Sequence, residues 1–196
     1  MAVDSTKVLV GAADQSTTGA VLSGAVLTTV PASFADAEKA LASMTDSGYV
    51  SEDGLTLTPD ISTTEITEWN KSVVRKVIDS FDGTLGVTLI QADAAGWKQA
   101  LGDEYVTETA ATKTAGAQTH IKMGAHLAPE RSWGFKMKDG DKRVIIIVPK
   151  GQVTTLDEMS FTATDAVKLP LTISAYDDGA GECIHIFMDD GVKAES

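Results

Sequence analysis

Cysteine is almost absent from the sequence, which contains only Cys183 among its 196 residues. A single cysteine cannot form an intrachain disulfide, so the chain lacks the disulfide framework of small secreted domains. The first seven residues also lack the basic start and the apolar core of a signal peptide. We therefore expect the protein to fold in a reducing cytosol.

Basic residues are scarce as well. The chain carries 16 Lys and Arg against 28 Asp and Glu, which gives a formal net charge of -12. Such a surface repels the phosphate backbone of nucleic acids at long range. This charge excludes a function in which the protein binds nucleic acid by electrostatic attraction. The net negative charge lies in residues 1–60 and 151–196, whereas acids and bases are nearly balanced in residues 61–150.

Long hydrophobic runs are missing too, and none approaches the roughly 18 residues of a membrane-spanning helix. The longest run, from Val144 to Val148, predicts a buried strand. The overall content of hydrophobic residues is 43%, which is typical of a folded domain. We therefore expect a folded protein without a membrane partner.

The motifs of common catalytic and cofactor sites do not occur either. There is no phosphate-binding glycine loop, no G-x-S-x-G, no H-E-x-x-H and no C-x-x-C. His120, His126 and His185 lack the spacing of a zinc site, and the sequence assigns no role to the first two. Cys183 lies two residues from His185, but a lone cysteine in a strand is usually a small core residue. We expect no enzyme, no cofactor and no metal.

Most of the secondary-structure patterns in the sequence are those of β-strands. Two β-branched runs, 72–81 and 84–91, flank Asp82-Gly83, a dipeptide that predicts a hairpin turn. A short helix follows over 92–101 and ends at Gly102. Further strands are predicted over 119–123, 133–137, 143–148, 153–164, 169–175 and 184–188, with turns at 138–141 and 177–179. The sequence therefore predicts a mainly β fold, a β-sandwich or barrel-like subunit with one short flanking α-helix.

The domain organisation follows from composition. Residues 1–33 are rich in Ala, Thr, Ser and Gly, so we expect a flexible N-terminal arm. A single β domain is predicted over 34–190, with a weaker helical pattern near its start at 35–44. Within it, residues 48–70 have little periodicity and are predicted to form a long loop. Residues 191–196 are predicted to form a short C-terminal tail.

One region carries a family resemblance. It contains G-Y-V-S-E-D-G at 48–54, T-E-W at 67–69 and V-V-R at 73–75, followed by the strand hairpin and the short helix that ends at Gly102. This arrangement resembles the major tail tube proteins of long-tailed, siphovirus-type bacteriophages and related prophages. The resemblance covers about a quarter of the chain, and the rest agrees in its general plan.

The resemblance implies a structural virion protein without catalysis or cofactor. Its subunits would assemble in the bacterial host cytoplasm as homohexameric rings, stacked into a tail tube whose lumen DNA crosses without adhering. Further partners implied by the family are the tape measure, tail terminator and distal tail proteins. Candidate subunit contacts are Tyr49, Glu52, Asp53, Trp69 and Arg75. Candidate lumen acids, in or beside predicted strands, are Asp79, Asp82, Asp177, Asp178, Asp189 and Asp190.

Two other functions remain open at this point. A secreted β-sandwich that binds carbohydrate or mediates adhesion would share the fold, and Trp69, Trp97 and Trp133 would then have to form one platform. The inner-tube protein of type VI secretion systems is a structural relative within the tube class. Genomic neighbours would distinguish the latter from a phage protein.

Overall fold

The computed structural model describes residues 7–15 and 19–193. These residues form ten strands and two α-helices, α1 (Phe34–Ala42) and α2 (Ala94–Leu101), and a 3₁₀ turn at Asp103–Tyr105. The strands are β1 (Val21–Gly24), β2 (Thr45–Asp46), β3 (Val50–Thr67), β4 (Val73–Leu89), β5 (Val106–Thr109), β6 (Gln118–Ile121), β7 (Arg131–Asp139), β8 (Lys142–Leu156), β9 (Leu169–Ala175) and β10 (His185–Asp189). The predicted fold class, mainly β with a short flanking helix, is confirmed.

Eight strands belong to one antiparallel sheet with the order β2-β1-β7-β8-β9-β4-β3, and β10 pairs with β8. Strand β8 divides this sheet, because its residues 142–148 pair with β7 and β10 whereas residues 151–156 pair with β9. We call β2, β1, β7, the first half of β8 and β10 the front half-sheet. The second half of β8 with β9, β4 and β3 forms the back half-sheet. Strands β5 and β6 form a separate hairpin.

The two half-sheets share the main core. Leu85 of β4 and Ile173 of β9 are buried in the same cluster as Phe135 of β7 and Ile146 of β8. Helix α2 covers this cluster with Trp97, Ala100 and Leu101. The helix begins after the N-cap Asp93, which accepts the Gly96 N–H at 2.9 Å, and it ends at Gly102, as predicted. The layers bury one face of each half-sheet, as in a sandwich.

Strand β8 is buried on both faces of its first half. Val144, Ile146 and Val148 belong to the main core, whereas Ile145 and Ile147 pack beneath helix α1. The alternation follows from the two-residue period of a strand. The prediction of a buried strand from Val144 to Val148 is therefore confirmed.

Helix α1 covers the outer face of the front half-sheet with Ala37 and Leu41. Its N-cap is Ser33, whose hydroxyl accepts the Asp36 N–H at 3.2 Å. The weaker helical pattern at 35–44 is thus a real helix, although it ends at Ala42. The N–H groups of Ser43 and Met44 close its last turn by donating to the carbonyls of Ala40 and Leu41.

The long loop predicted at 48–70 is wrong, because most of that segment is strand β3. The hairpin turn predicted at Asp82-Gly83 is also wrong, since both residues lie inside β4. The connection is at 68–72, where the Glu68 N–H donates to the Ser72 carbonyl at 2.9 Å. Gly83 packs closely against its neighbours instead: an added Cβ would lie 2.7 Å from Ile184 Cδ1.

The flexible arm predicted over residues 1–33 is wrong at β1. Val21 and Leu22 are buried, and β1 pairs with both β7 and β2. Earlier in the chain, the Lys138 N–H donates to the Ala12 carbonyl at 2.8 Å. The rest of the arm is described at residues 7–15 and 19–33, and residues 1–6 and 16–18 lie outside the described residues. The predicted tail is described only as far as Lys193.

The later strand predictions agree with the structure in position. Strands β6, β7, β9 and β10 overlap the predicted segments, and Gly140, with φ 61°, forms the turn after β7. The segments predicted separately at 143–148 and 153–164 are one continuous strand, β8, that ends at Leu156. Pro149 and Gly151 do not interrupt it.

Candidate assembly surfaces

A long two-stranded extension is the most prominent surface feature. Strands β3 and β4 pair from Val50 opposite Leu89 to Thr67 opposite Val73, but β9 pairs with β4 only from Gly83 onward. Every residue from 58 to 82 is exposed. We call residues 58–82 the projecting hairpin. With a rise of about 3.4 Å per residue, it extends roughly 30 Å beyond the neighbouring strand.

One face of the projecting hairpin is apolar. Ile61 lies opposite Phe81, in line with the core residues Leu57 and Leu85, and Ile78 follows opposite Thr63. Ile61, Phe81 and Ile78 are 57%, 41% and 68% exposed. An isolated hairpin is marginally stable in water, and exposed apolar strands favour association. This face therefore fits a protein partner.

The opposite face of the back half-sheet is polar, and no other layer of the described residues covers it. One row across its strands consists of Thr58, Thr84, Ser174 and Gln152. The Thr154 and Ser174 hydroxyl oxygens are 2.9 Å apart on the same face. Asp60 and Asp82 continue it onto the hairpin, where they lie directly opposite each other. We call this surface the polar sheet face.

The back half-sheet has open edges on both sides. Among the described residues, β3 pairs only with β4. Beyond the pair of Arg131 with Gly151, the second half of β8 has no described partner on the side away from β9. Open edges present unpaired N–H and carbonyl groups to another chain. The back half-sheet is therefore able to join further strands on either side.

The predicted subunit contacts fall into two groups. Tyr49, Glu52 and Asp53 are exposed at the base of β3, where Asp53 accepts the Ser51 hydroxyl at 2.8 Å. Trp69 and Arg75 lie at the end of the projecting hairpin, and Trp69 is 100% exposed. Most of the length of β3 separates the two groups. The structure thus does not bring the five residues together.

Four of the predicted lumen acids belong to the back half-sheet or its loops. Asp79 lies on the projecting hairpin and accepts the Thr64 hydroxyl at 2.6 Å. Asp82 and Asp177 line one cavity beside Cys183. The side chain of Asp178 is only 2% exposed and lies 3.0 Å from His185 Nε2. The Ala180 N–H, together with His185, lowers the pKa of Asp178.

The other two predicted lumen acids lie at the end of the front half-sheet. Asp189 accepts the Gly191 N–H at 3.0 Å and pairs with Arg143 at 2.9 Å, and these donors lower its pKa. Asp190 is exposed and accepts the Val192 N–H at 3.0 Å. The six predicted acids are therefore divided between the two half-sheets.

The structure shows the surroundings of Cys183 and of His126. Burial, together with the carboxylates of Asp177 and Asp178, raises the pKa of the Cys183 thiol, which disfavours the nucleophilic thiolate. His126 stacks on Tyr105 with ring centroids 3.5 Å apart. Within residues 7–15 and 19–193, no group of three or more His, Cys, Asp or Glu side chains is arranged to hold a metal ion.

Sequence reasoning did not find a cleft between α1 and the front half-sheet, which we call the α1 groove. Its volume is about 330 Å³. Arg143 holds one side of it by pairing with Glu38 of α1 and lying 4.8 Å from the centre of the Phe34 ring. The lining residues are Asp14, Leu22, Phe34, Glu38, Leu41, Ala42, Met44, Asp46, Lys136, Met137, Arg143, Val144 and Ile145. The helical spacing of Phe34, Leu41 and Met44 indicates only the apolar side of α1.

Comparison with protein families gives a match over residues 1–196, to the family described as phage tail tube protein. The chain belongs to this family. The resemblance seen in residues 48–102 is confirmed and extends to the whole chain. The comparison with curated proteins found no match.

Membership makes this tail tube protein a structural component of a virion tail. In the portion that the structure describes, no helix combines the length and apolarity needed to cross a membrane. Members of this family assemble into a tail tube. The subunit presents three surfaces for contacts with other molecules: the open edges, the projecting hairpin and the polar sheet face.

Proposed function

We propose that this protein is the major tail tube subunit, which forms hexameric rings that stack around a DNA-conducting lumen. One observation carries the proposal: a four-stranded half-sheet combines a buried apolar face, an uncovered polar face and open edges on both sides. The proposed activity is mechanical, so the protein needs no catalytic residue and no cofactor.

Ring closure would join β3 of one subunit to the second half of β8 of the next. This head-to-tail contact is heterologous, and rings that close by it leave no open edge. Six such half-sheets would give about 24 strands. With about 4.8 Å between strands and a tilt near 40°, the backbone diameter would be roughly 45–50 Å. A channel of that width admits a DNA duplex.

In this arrangement the polar sheet face lines the lumen. Its hydroxyls are neutral, and Asp60 and Asp82 add negative charge, so the surface would not bind phosphates. At a Debye length of about 8 Å, only charges that line the channel act on DNA. Asp79 and Asp177 remain candidates for that lining. Asp178 is too buried to touch DNA, and Asp189 and Asp190 belong to the front half-sheet.

Stacking of rings would use the projecting hairpin, with Trp69 and Arg75 at its end and Tyr49, Glu52 and Asp53 at its base. The apolar face of the hairpin would pack against another molecule, because the described residues of its own chain leave it exposed. The tape measure protein would occupy the lumen before DNA, and the terminator and distal tail proteins would bind the two ends of the tube. Assembly would occur in the host cytoplasm.

Neither alternative function is favoured. Trp97 and Trp133 are 7% and 1% exposed, so they do not form a sugar-binding platform with Trp69. A type VI inner tube would share the architecture, but the family match is to a phage tail tube protein.

Electron microscopy of the purified full-length chain tests the proposal. We expect a monomer or weak oligomer in dilute solution, and rings or tubes at high concentration or after seeding with tail fragments. Light scattering at the same concentrations measures the transition. A monomer that never assembles under any of these conditions would overturn the proposed function.

A further inference from the structure

We propose that the end of the projecting hairpin binds the α1 groove of a second copy of this chain, with Trp69 as its central contact. The inference rests on the proposed function, because it names the receptor for the contact between stacked rings. Three observations support it: the exposure of Trp69, the shape of the α1 groove and the charges of both surfaces. The two surfaces lie on different half-sheets.

The end of the hairpin holds Trp69 outward. The Glu68 N–H donates to the Ser72 carbonyl at 2.9 Å, and the Lys71 N–H donates to the Glu68 carbonyl at 2.9 Å. Lys71 adopts the left-handed region, with φ 67°, which tightens the turn. Trp69 is 100% exposed, so none of the described residues of its own chain covers it. Tryptophan is among the residues that most often dominate the energy of protein interfaces.

The α1 groove offers an apolar floor of suitable size. Leu22, Leu41 and Ile145 form part of the buried cluster beneath α1, and Met44 packs against that cluster. The volume of about 330 Å³ lies within the range of pockets that accept a compact ligand group. Polar groups surround this floor, as in a site that orients an aromatic anchor.

The charges of the two surfaces are complementary. Residues 65–76 contain two acids and three bases, although the whole chain has a net charge of -12. Lys76 pairs with Glu65 at 2.8 Å, which leaves Lys71 and Arg75 available for another molecule. The groove contains three acids, Asp14, Glu38 and Asp46, against Lys136 and Arg143. The contact thus joins a hairpin end with one excess positive charge to a groove with one excess negative charge, and the negative groove favours a second copy over a nucleic acid.

Site-directed cross-linking of the full-length protein tests the contact. In a Cys183→Ser background, we combine Trp69→Cys with Ala42→Cys, whose side chain lines the groove and is exposed. The matched control combines Trp69→Cys with Lys113→Cys, an exposed position beyond β5. Both pairs lack Trp69, so the tubes are assembled at a protein concentration more than tenfold above that of the wild type, which offsets the weaker contact. We expect intermolecular disulfides for the 69–42 pair and at least tenfold fewer for the 69–113 pair.

Charge variants at the groove give a second readout. Ala42→Lys and Ala42→Glu have similar size and helix propensity. Because Ala42 is the last residue of α1, lysine suits this helix end better than glutamate, so weaker assembly of the lysine variant would not come from a weaker helix. We expect the lysine variant to need at least a threefold higher protein concentration for tube formation than the glutamate variant. Trp69→Ala should raise this concentration about tenfold, and Trp69→Phe by less.

The outcomes separate the two proposals. Tubes that form normally but show no excess of 69–42 cross-links over the 69–113 control overturn the groove inference and leave the proposed function intact. Failure of the wild-type chain to form any tube overturns both.

Discussion

At the scale of single residues, one buried amide holds helix α2 against strand β2. Gln99 is 2% exposed, and its Nε2 donates to the carbonyls of Thr45 at 3.2 Å and Asp46 at 3.1 Å. Its Oε1 accepts the hydroxyl of Ser47, which is also buried. Because Gln99 is a polar residue on the core side of a short helix, its partners follow from the fold and not from the helical pattern.

Gln99→Ala should therefore destabilise the protein markedly. The variant leaves the Ser47 hydroxyl and two carbonyls without this partner and opens a cavity beneath α2. We expect the free energy of unfolding to fall by about 2–3 kcal/mol. Urea unfolding of the dilute monomer measures it. Gln118→Ala, at an exposed position in β6, is the control and should change it by less than about 0.5 kcal/mol. Equal effects of the two variants would contradict the role of the buried amide.

The buried carboxyl of Asp178 predicts a pH dependence. Its folded-state pKa is lowered by the Ala180 N–H, with a further contribution from His185. A lowered pKa stabilises the fold above the unfolded-state pKa, near pH 4, and this contribution is lost as the pH falls through the folded-state value. Asp178→Asn should thus be less stable than wild type at pH 6, and the difference should shrink by pH 3. An equal difference at both pH values in urea unfolding would rule out this explanation.

At the scale of elements, the β3–β4 pair is where the structure differs most from the prediction made from the sequence. The strands with continuous or alternating apolar residues, such as β7, β9 and the first half of β8, were predictable because their period reports burial directly. The β3 side of the projecting hairpin is exposed on both faces, so its residues follow no burial pattern, and Gly54 and Pro59 locally favour a loop. Asp82-Gly83 favours a turn locally, but its pairing with distant strands decides the structure.

Gly83 allows this explanation to be tested. Gly83→Ala should cost about 1 kcal/mol, because its Cβ would lie 2.7 Å from Ile184 Cδ1 and 3.1 Å from the Phe81 ring. In Ile184→Val, which lacks Cδ1, the added cost of Gly83→Ala should be smaller. The matched control is Gly86→Ala, where the nearest neighbour is 3.8 Å away. If Gly83→Ala is as stable as Gly86→Ala in urea unfolding, Gly83 does not serve close packing.

The hairpin itself can be removed without touching the core. Replacing residues 63–79 by Asn-Gly would join Ser62 to Ser80, which are already paired, through a two-residue turn. Because the removed residues are exposed, we expect the shortened chain to fold with nearly unchanged stability but not to form tubes. Circular dichroism and electron microscopy measure the two properties. Normal tubes from the shortened chain would contradict the role of the hairpin in stacking.

At the scale of the whole molecule, the distribution of acidic residues between the two half-sheets determines which charges would line a DNA channel. Sequence composition predicted an acidic protein but could not assign acids to faces, because the strand register and the division of β8 between the two half-sheets determine which acids share a surface. The polar sheet face carries Asp60 and Asp82, whereas Asp189 and Asp190 lie at the end of the front half-sheet. The same change in charge can therefore be made at two places, one on the polar sheet face and one on the front half-sheet.

Asp82→Lys should leave tails intact and slow DNA release, because rings of lysine in the lumen would bind phosphates that must then dissociate as the genome moves. Asp190→Lys makes the same change in charge on the front half-sheet and should release DNA at the wild-type rate. Release kinetics from particles with normal tails measure both. Equal rates for the two variants would remove the electrostatic part of the account.

The proposed tube requires that the back half-sheets of six subunits join edge to edge around the lumen. A cryo-electron microscopy reconstruction of assembled tubes tests it most directly. We predict six subunits per ring, β3 hydrogen-bonded to the second half of β8 of the neighbouring subunit, and Thr84 and Ser174 facing the channel. A tube in which helix α1 faces the channel, or in which the edge of β3 remains unpaired, would contradict the account.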